Sequence, residues 1–162
     1  IMVTTSESLA NAVSDEVERQ LKLLPRESIA RPSIENNSYI AIMDSIEDMF
    51  TVMNEVAPEH LEIQLPDPMN YMSLVQNAGS VFLGAYASEP LGYYLGGTNH
   101  VLPTSGTARF SSPLGVYDFV KRTSFTQFTK ERLEEVAKHI TTLARTEGLE
   151  AHARAIEVRF EK

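Results

Sequence analysis

The sequence contains no cysteine and no tryptophan, and its basic residues are outnumbered by its acidic ones. The absence of cysteine excludes disulfide bonds and thiolate metal ligands, so any metal ion must be bound by His, Asp, Glu or amide oxygens. With 14 Lys and Arg against 22 Asp and Glu, the formal net charge is −8. The basic side chains are interleaved with acidic ones and form no patch, so we expect no nucleic-acid partner.

Long apolar runs are also missing. No apolar stretch approaches the roughly 20 residues that cross a bilayer, and there is no signal-peptide pattern. We therefore expect a cytoplasmic protein without a membrane partner. The composition, 43% hydrophobic and 22% charged, is typical of a globular protein. The sequence starts directly in a strand-like run, Ile1–Thr5, which favours a piece of a longer protein.

Hydrophobic periodicity in the first half alternates between the strand and helix patterns. Strands are predicted over 1–5, 39–43, 61–65 and 80–83, and helices over 6–24, 44–56 and 67–75. Ser6, Asp44 or Ser45, and Asp67 are the predicted helix caps. The segment 26–37 fits either a short helix or a loop. This alternation predicts an α/β fold, with a parallel sheet covered by helices in a partial Rossmann-like domain.

The second half begins with a long irregular segment over 84–112, which contains Gly97–Val101 with an amide and an imidazole. It is rich in Tyr, Leu and Val, so we expect it to be ordered. A short helix near 116–120 and an extended piece over 124–128 follow. Two amphipathic helices, the first capped by Thr129 and ended by Gly148, complete the chain. We assign 1–110 to the incomplete Rossmann-like domain and 111–162 to a small helical C-terminal domain that packs on a partner subunit.

The candidate catalytic pair, Glu59 and His60, lies at a junction between a predicted helix and a predicted strand. Apolar residues at three- and four-residue steps indicate a helix up to Val56, and Pro58 ends it. A carboxylate beside an imidazole supplies two groups that can move protons near neutral pH. The alternative, commoner for such a pair, is that Glu59 is solvated and His60 packs or caps.

Several unconnected motifs together resemble one family. They are Val3–Leu21, Ala57–Glu62, Ala78–Gly84, Gly97–Pro103 and Gly148–His152. Their order and spacing are similar to those of histidinol dehydrogenase, and the resemblance covers essentially all 162 residues. It implies a homodimeric, NAD-dependent zinc dehydrogenase that oxidises a primary alcohol, L-histidinol, to L-histidine in histidine biosynthesis. Two hydride transfers to NAD⁺ proceed through an aldehyde held on the enzyme.

The resemblance also implies roles for individual residues. His60 matches the general base that takes protons from the alcohol and from the aldehyde hydrate, and Glu59 matches the acid that activates the attacking water. His100 and Glu147 match residues that line the substrate site. His152 matches a zinc ligand beside the substrate, donated by the other subunit's tail. From the residues alone, His152 lies on a predicted apolar stripe, as a buried histidine or a subunit contact would.

The chain departs from the family pattern in two ways. Tyr93 stands at the position of the family's Asp zinc ligand, where it is assigned to both the metal and the substrate site. A phenol is bulkier than a carboxylate and binds zinc poorly unless ionised. A Gln and a His that complete the zinc site, and the domain that binds most of the NAD, match nothing in this sequence. No cofactor-binding residue is therefore assigned, and the chain is expected to be a C-terminal portion that is inactive in isolation.

A second hypothesis belongs to a different class: a non-catalytic homologue or remnant that folds and dimerises without zinc. Tyr93 and the missing segments favour it, whereas the retained Glu59, His60 and His152 disfavour it. A zinc hydrolase is not supported, since no His-Glu helix motif is present. Because a partial sheet leaves strand edges uncovered, we also expect a dimer or a larger species.

Overall fold

A computed structural model of the protein describes residues 1–161. Within that range the chain forms four β-strands, six α-helices and three short 3-10 helices. The strands are β1 (Met2–Thr4), β2 (Ile40–Ile42), β3 (His60–Ile63) and β4 (Ser80–Leu83). The α-helices are α1 (Glu7–Leu21), α2 (Glu27–Asn37), α3 (Ile46–Val56), α4 (Glu89–Tyr94), α5 (Lys130–Thr146) and α6 (Glu150–Glu157). None of the described helices combines the length and apolar character that a bilayer crossing requires.

The strands pair in parallel, as predicted, but in two separate sheets. β1 pairs with β2, with Val3 opposite Ala41, and β3 pairs with β4, with Leu61 opposite Val81. The α/β class with parallel strands is confirmed, whereas the single continuous sheet is not what residues 1–161 form. Periodicity identifies a strand and its buried face, but it carries no information on which strand lies beside it.

The buried hydrophobic core cluster joins helix α3 to strand β3. Phe50 of α3 packs with Leu61 and Ile63, and each of the three is at most 6% exposed. Tyr71 stacks on Phe50 with ring centroids 6.0 Å apart. This apolar contact fixes the helix and the strand on either side of the junction that carries Glu59 and His60.

The predicted caps are mostly confirmed. The hydroxyl oxygens of Ser6, Ser45 and Thr129 each accept a hydrogen bond from a first-turn N–H, at 3.2, 3.1 and 3.2 Å. Gly148 follows α5 with φ +73°, a left-handed conformation that glycine adopts without strain. These caps depend only on neighbouring residues, which is why the sequence identifies them.

Three local predictions are corrected or settled. Asp67 makes no side-chain cap, because its own backbone is left-handed at φ 48°, and the following element is a 3-10 helix, Pro68–Leu74, instead of an α-helix. The ambiguous segment 26–37 is helical as α2. The segment predicted to be irregular contains α4, whose first turn accommodates Pro90 because a proline there loses no internal hydrogen bond.

The chain divides into two compact units, residues 1–120 and 121–162. The sequence places the boundary between 110 and 111. The second unit contains α5 and α6, which pack through the buried small side chains of Thr141, Ala144 and Ala153. Ala153 is 0% exposed.

An ion-pair cluster links α5 to α6 and predicts a pH-dependent contribution to stability. Arg145 pairs with Glu150 and Glu157 at 2.8 and 2.9 Å, and these contacts lower the pKa of both carboxyls. Carboxyls with a lowered pKa stabilise the fold above their unfolded pKa, and the contribution is lost as the pH falls through the folded pKa. We expect Arg145→Gln to lower the melting temperature slightly at pH 7 but not near pH 2, as measured by circular dichroism.

The matched control is Arg26→Gln, an exposed arginine without an ion pair among residues 1–161. It should leave the melting temperature unchanged at both pH values. An Arg145→Gln effect of equal size at both pH values would contradict the electrostatic assignment.

Candidate active site

The junction between α3 and β3 is formed by a single backbone reversal at Ala57. This residue is 1% exposed and left-handed, with φ 49° and ψ 62°, and its N–H donates to the Met53 carbonyl at 3.0 Å. Pro58 disfavours the right-handed helical conformation at Ala57. The helix therefore ends at Val56, and β3 begins only four residues later, at His60.

The backbone at Glu59 is held against the start of β4. The Gly79 N–H donates to the Pro58 carbonyl at 2.9 Å, and the Ser80 N–H donates to the Glu59 carbonyl at 2.8 Å. A Cβ on Gly79 would lie 2.6 Å from the Glu59 carbonyl oxygen, so only glycine permits this approach. The main chain is thus fixed, while the side chains of Glu59 and His60 stay partly exposed.

The His60 imidazole lies between two carboxylates. Its Nε2 is 4.0 Å from Glu59 Oε1 and 3.9 Å from Glu89 Oε1. Both distances exceed a hydrogen bond. The His60 side chain is 30% exposed and the two carboxylates 37% each, so all three groups are partly exposed to solvent.

Glu89 was not predicted from the sequence as a site residue. It is the first residue of α4, and this helix places its carboxylate near His60. The Glu62 carboxylate accepts a hydrogen bond from the Glu89 N–H at 3.0 Å, at the positively polarised N-terminus of α4. On the same helix, a Cβ on Gly92 would lie 2.5 Å from the Phe82 ring, so the helix packs closely on β4. The pattern Ser88-Glu89-Pro90 at a helix start could have indicated the helix, but not its contact with His60.

The rings of Tyr93 and His100 pack against each other beside a cleft that His60 also lines. Their ring centroids are 5.0 Å apart at an interplanar angle of 48°. Tyr93 is 50% exposed and also contacts the edge of Tyr94, at 4.9 Å. The remaining residues of the cleft are Ser80, Phe82, Gly92, Thr98, Asn99 and Leu102. The structure therefore brings three of the predicted site residues together.

Asn99 braces the loop that carries His100. Its amide donates to the Leu114 carbonyl at 2.8 Å and its carbonyl oxygen accepts from the Val101 N–H at 2.8 Å. Both ends of the amide are thus used within the loop, which gives the residue a structural role.

Glu147 and His152 belong to the second unit, and both are exposed. Glu147 follows the last residue of α5, and His152 lies in the first turn of α6. Of the two alternatives for His152, the structure does not show a buried histidine, because the buried residue is the adjacent Ala153; the subunit contact stays a prediction. Ala153 is 0% exposed in the packing of α6 on α5, whereas the His152 side chain is exposed.

The described residues, 1–161, bring no zinc ligand set together. Among residues 1–161, no group of three or more His, Asp and Glu side chains is placed to hold a metal ion. At the position assigned to the metal, the Tyr93 ring packs against His100. A catalytic zinc ion requires about three protein ligands.

The comparisons with known proteins identify the family. A family model described as histidinol dehydrogenase matches residues 1–160. The chain belongs to the histidinol dehydrogenase family. It is 65% identical over 161 residues to the histidinol dehydrogenase of Lactiplantibacillus plantarum and 60% identical over 162 residues to that of Streptococcus mutans. These matches cover 99% and 100% of this chain but 38% of each relative.

A solved histidinol dehydrogenase has the same fold over the matched region. The crystal structure of the enzyme from Elizabethkingia anophelis aligns with a TM-score of 0.75 at 38% identity. The alignment covers 98% of this chain and 36% of that one. The chain thus spans a little over one third of the length of the family members that it matches.

Proposed function

We propose that this chain supplies one part of the active site of a histidinol dehydrogenase, which oxidises L-histidinol to L-histidine and is inactive when the rest of the polypeptide is missing. The supporting observation is the imidazole of His60, flanked by two carboxylates within 4.0 Å and open to a cleft. NAD⁺ would accept the hydride in each of the two oxidation steps.

His60 is the proposed general base. In the first step it takes the hydroxyl proton of the alcohol while a hydride leaves the adjacent carbon, which gives the aldehyde. Glu59 then takes a proton from the water that attacks the aldehyde carbon, while the protonated His60 gives its proton to the aldehyde oxygen, so that the hydrate forms and His60 is again neutral. In the second step His60 takes a hydrate proton while a second hydride leaves, which gives the carboxylic acid; the acid then loses its remaining proton to solvent, as Glu59 and His60 also do before the next cycle. Each of these proton transfers needs a group placed within hydrogen-bond reach of the reacting atom.

Tyr93 and His100 are proposed to contact the substrate from the same cleft as His60. Two rings at 5.0 Å form a wall suited to another planar ring, such as the imidazole of histidinol. Glu147 and His152 are proposed to complete the site from a partner subunit in a homodimer. Their exposure is what such a contribution in trans requires.

The proposed zinc dependence meets an obstacle at Tyr93. The family's carboxylate ligand is replaced here by a phenol that already packs on His100. His152 is then the one assigned ligand with a favourable donor atom, which is too few for a zinc ion. We assign no chemical step to the metal for this chain.

The test uses a chimera in which this chain replaces the matched 38% of the Lactiplantibacillus plantarum relative. We expect NADH formation from L-histidinol by the chimera and none by the isolated chain. The chimera with Tyr93→Asp should contain more bound zinc by metal analysis and turn over faster. If neither chimera forms NADH, the catalytic proposal is wrong for this chain.

The alternative is a non-catalytic family member that folds and dimerises without zinc, and Tyr93 is the observation that favours it. This alternative predicts that the chimera binds no zinc and forms no NADH until Tyr93 is replaced by Asp. Activity in the unmodified chimera would exclude it.

Glu89→Gln tests whether the second carboxylate supports the base. A charge pair at about 4 Å in a largely solvated setting is worth about 1 kcal/mol, so we expect kcat of the chimera to fall roughly 5-fold. The control is Glu134→Gln, an exposed carboxylate on α5, which should leave kcat unchanged. An unchanged kcat in the Glu89→Gln chimera would contradict the role of Glu89.

A further inference from the structure

The turn that leads into β4 is held by the side chain of Asn54, near the C-terminus of α3. Its Nδ2 donates a hydrogen bond to the Leu74 carbonyl at 2.9 Å. Its Oδ1 accepts hydrogen bonds from the backbone N–H groups of Gln76 and Asn77, at 2.8 and 3.1 Å. One partly buried amide thus binds the main chain at three points that lie 20 to 23 residues further along the sequence.

Asn77 makes the return contact to the end of α3. Its Nδ2 donates to the backbone carbonyl of Asn54 at 3.0 Å. This carbonyl needs a partner, because the carbonyls in the last turn of an α-helix have none within the helix. The neighbouring carbonyl of Glu55 accepts a hydrogen bond from the Arg109 guanidinium. The end of α3 is therefore bonded to the turn before β4 and to the segment that contains Arg109.

Asn54 and Asn77, the asparagine pair, lie just before the two segments that meet at the candidate site. Asn54 is five residues before Glu59, and Asn77 is three residues before Ser80. The Ser80 N–H donates to the Glu59 carbonyl at 2.8 Å. The asparagine pair and this backbone hydrogen bond join the same two segments. Together they fix the register in which β4 starts beside Glu59.

The contact requires an amide side chain of this length. It offers one backbone carbonyl and two backbone N–H groups, which match the donor group and the two oxygen lone pairs of asparagine. A leucine of similar shape would leave these backbone groups without a partner, which is unfavourable because the site is partly buried. An aspartate retains both acceptor contacts but cannot donate to the Leu74 carbonyl.

We propose that Asn54 is a positioning residue of the candidate active site, which acts through Glu59 and the start of β4 to fix the His60 imidazole. This inference rests on the proposed function, in which His60 is the general base. A base must lie within hydrogen-bond reach of the proton that it takes, and a displacement of about 1 Å can lower the rate about 10²-fold. The hydrogen-bond partners of Asn54 do not line the cleft, so its effect is transmitted by the backbone.

The positioning role affects catalysis more than substrate binding. Tyr93 and His100, the proposed substrate contacts, lie on α4 and on the loop that follows it, whereas Asn54 bonds to residues 74–77. The base acts in the transition state, and the loss of an interaction made only there lowers kcat and kcat/KM equally. KM for L-histidinol should therefore stay unchanged.

Variants of Asn54 in the chimera test this role. We expect Asn54→Leu to lower kcat by about 10-fold or more with KM within about twofold of the parent, and Asn54→Asp to lower kcat less. Circular dichroism verifies folding. The matched control is Asn36→Leu, because Asn36 donates one hydrogen bond to the Pro32 carbonyl within α2, and it should change neither constant. A rise in KM with kcat unchanged overturns the proposal, as does an equal loss of kcat in both Asn54 variants.

Amide hydrogen exchange in the chimera, measured by mass spectrometry with residue-level fragmentation, provides a readout that needs no activity. A purely local role of Asn54 predicts faster exchange only at Gln76 and Asn77, which bond to its side chain. The positioning role also predicts about 10-fold faster exchange of the Ser80 N–H, which is bonded to the Glu59 carbonyl. Asn54→Leu should show the full effect and Asn54→Asp a smaller one.

The Met43 N–H, which donates to the Thr4 carbonyl, is the internal control and should exchange equally in all variants. Unchanged exchange at Ser80 in both Asn54 variants overturns the proposal, whether or not the chimera is active. Faster exchange at Ser80, in a chimera that forms no NADH even with Asn54 intact, shows that Asn54 positions the junction and that the proposed function is what fails.

Discussion

Replacing His60 with asparagine in the chimera lowers kcat for L-histidinol oxidation by a factor of about 10²–10⁴, the usual contribution of a positioned general base. Asparagine retains a polar side chain but cannot accept a proton at neutral pH. The imidazole is 30% exposed and lies outside the buried core, so the variant should fold normally. The measurement is NADH formation at saturating substrate, with circular dichroism to verify folding.

His139→Asn is the matched control, because His139 is an exposed histidine on α5 and does not line the cleft. It should leave kcat within about twofold of the parent chimera. A surface substitution of this kind usually changes the free energy of unfolding very little, so the fold should be intact. A His60→Asn chimera that retains more than one tenth of the parent kcat would contradict the proposed role of His60 as the base.

The Glu59→Gln variant should slow the second oxidation step more than the first, so that aldehyde is released.

Gly79→Ala has the largest expected effect on stability. The added Cβ would lie 2.6 Å from the Glu59 carbonyl oxygen and 3.2 Å from Pro103, and the first of these is backbone that cannot rotate away. β3 and β4 must then separate where Glu59 accepts the Ser80 N–H. We expect a loss of about 1–3 kcal/mol in the free energy of unfolding, measured by urea denaturation, as for other overpacked sites.

Gly115→Ala provides the control for this substitution. Its Cβ would meet only atoms at 3.8 and 4.0 Å, and its backbone is extended at φ −138°, so alanine fits without strain. Stability should stay within about 0.5 kcal/mol of the parent. In the chimera, Gly79→Ala should also reduce kcat, because it displaces the backbone that carries His60. Unchanged stability on Gly79→Ala would mean that the two strands are not held as closely as described.

The prediction of the candidate site depended on local features for some residues and on tertiary contacts for others. Glu59 and His60 were located because a helix periodicity, a proline and a strand alternation meet at one point in the sequence. Tyr93 and His100 were assigned by family resemblance, and the structure brings their rings together with His60 at one cleft. Glu89 was not predicted as a site residue, because it lies 29 residues beyond His60 in the sequence. Only the packing of α4 on Phe82 brings the two residues together.

The sequence by itself determined the strands, most helix caps, the turn at Ala57 and the family, because each depends on neighbouring residues or on a motif. The tertiary structure alone decided that the strands form two separate pairs, that His152 is exposed beside a buried Ala153, and that a second carboxylate flanks His60. These features depend on which surfaces meet after folding. Such contacts join residues far apart in the chain, and no local pattern records them.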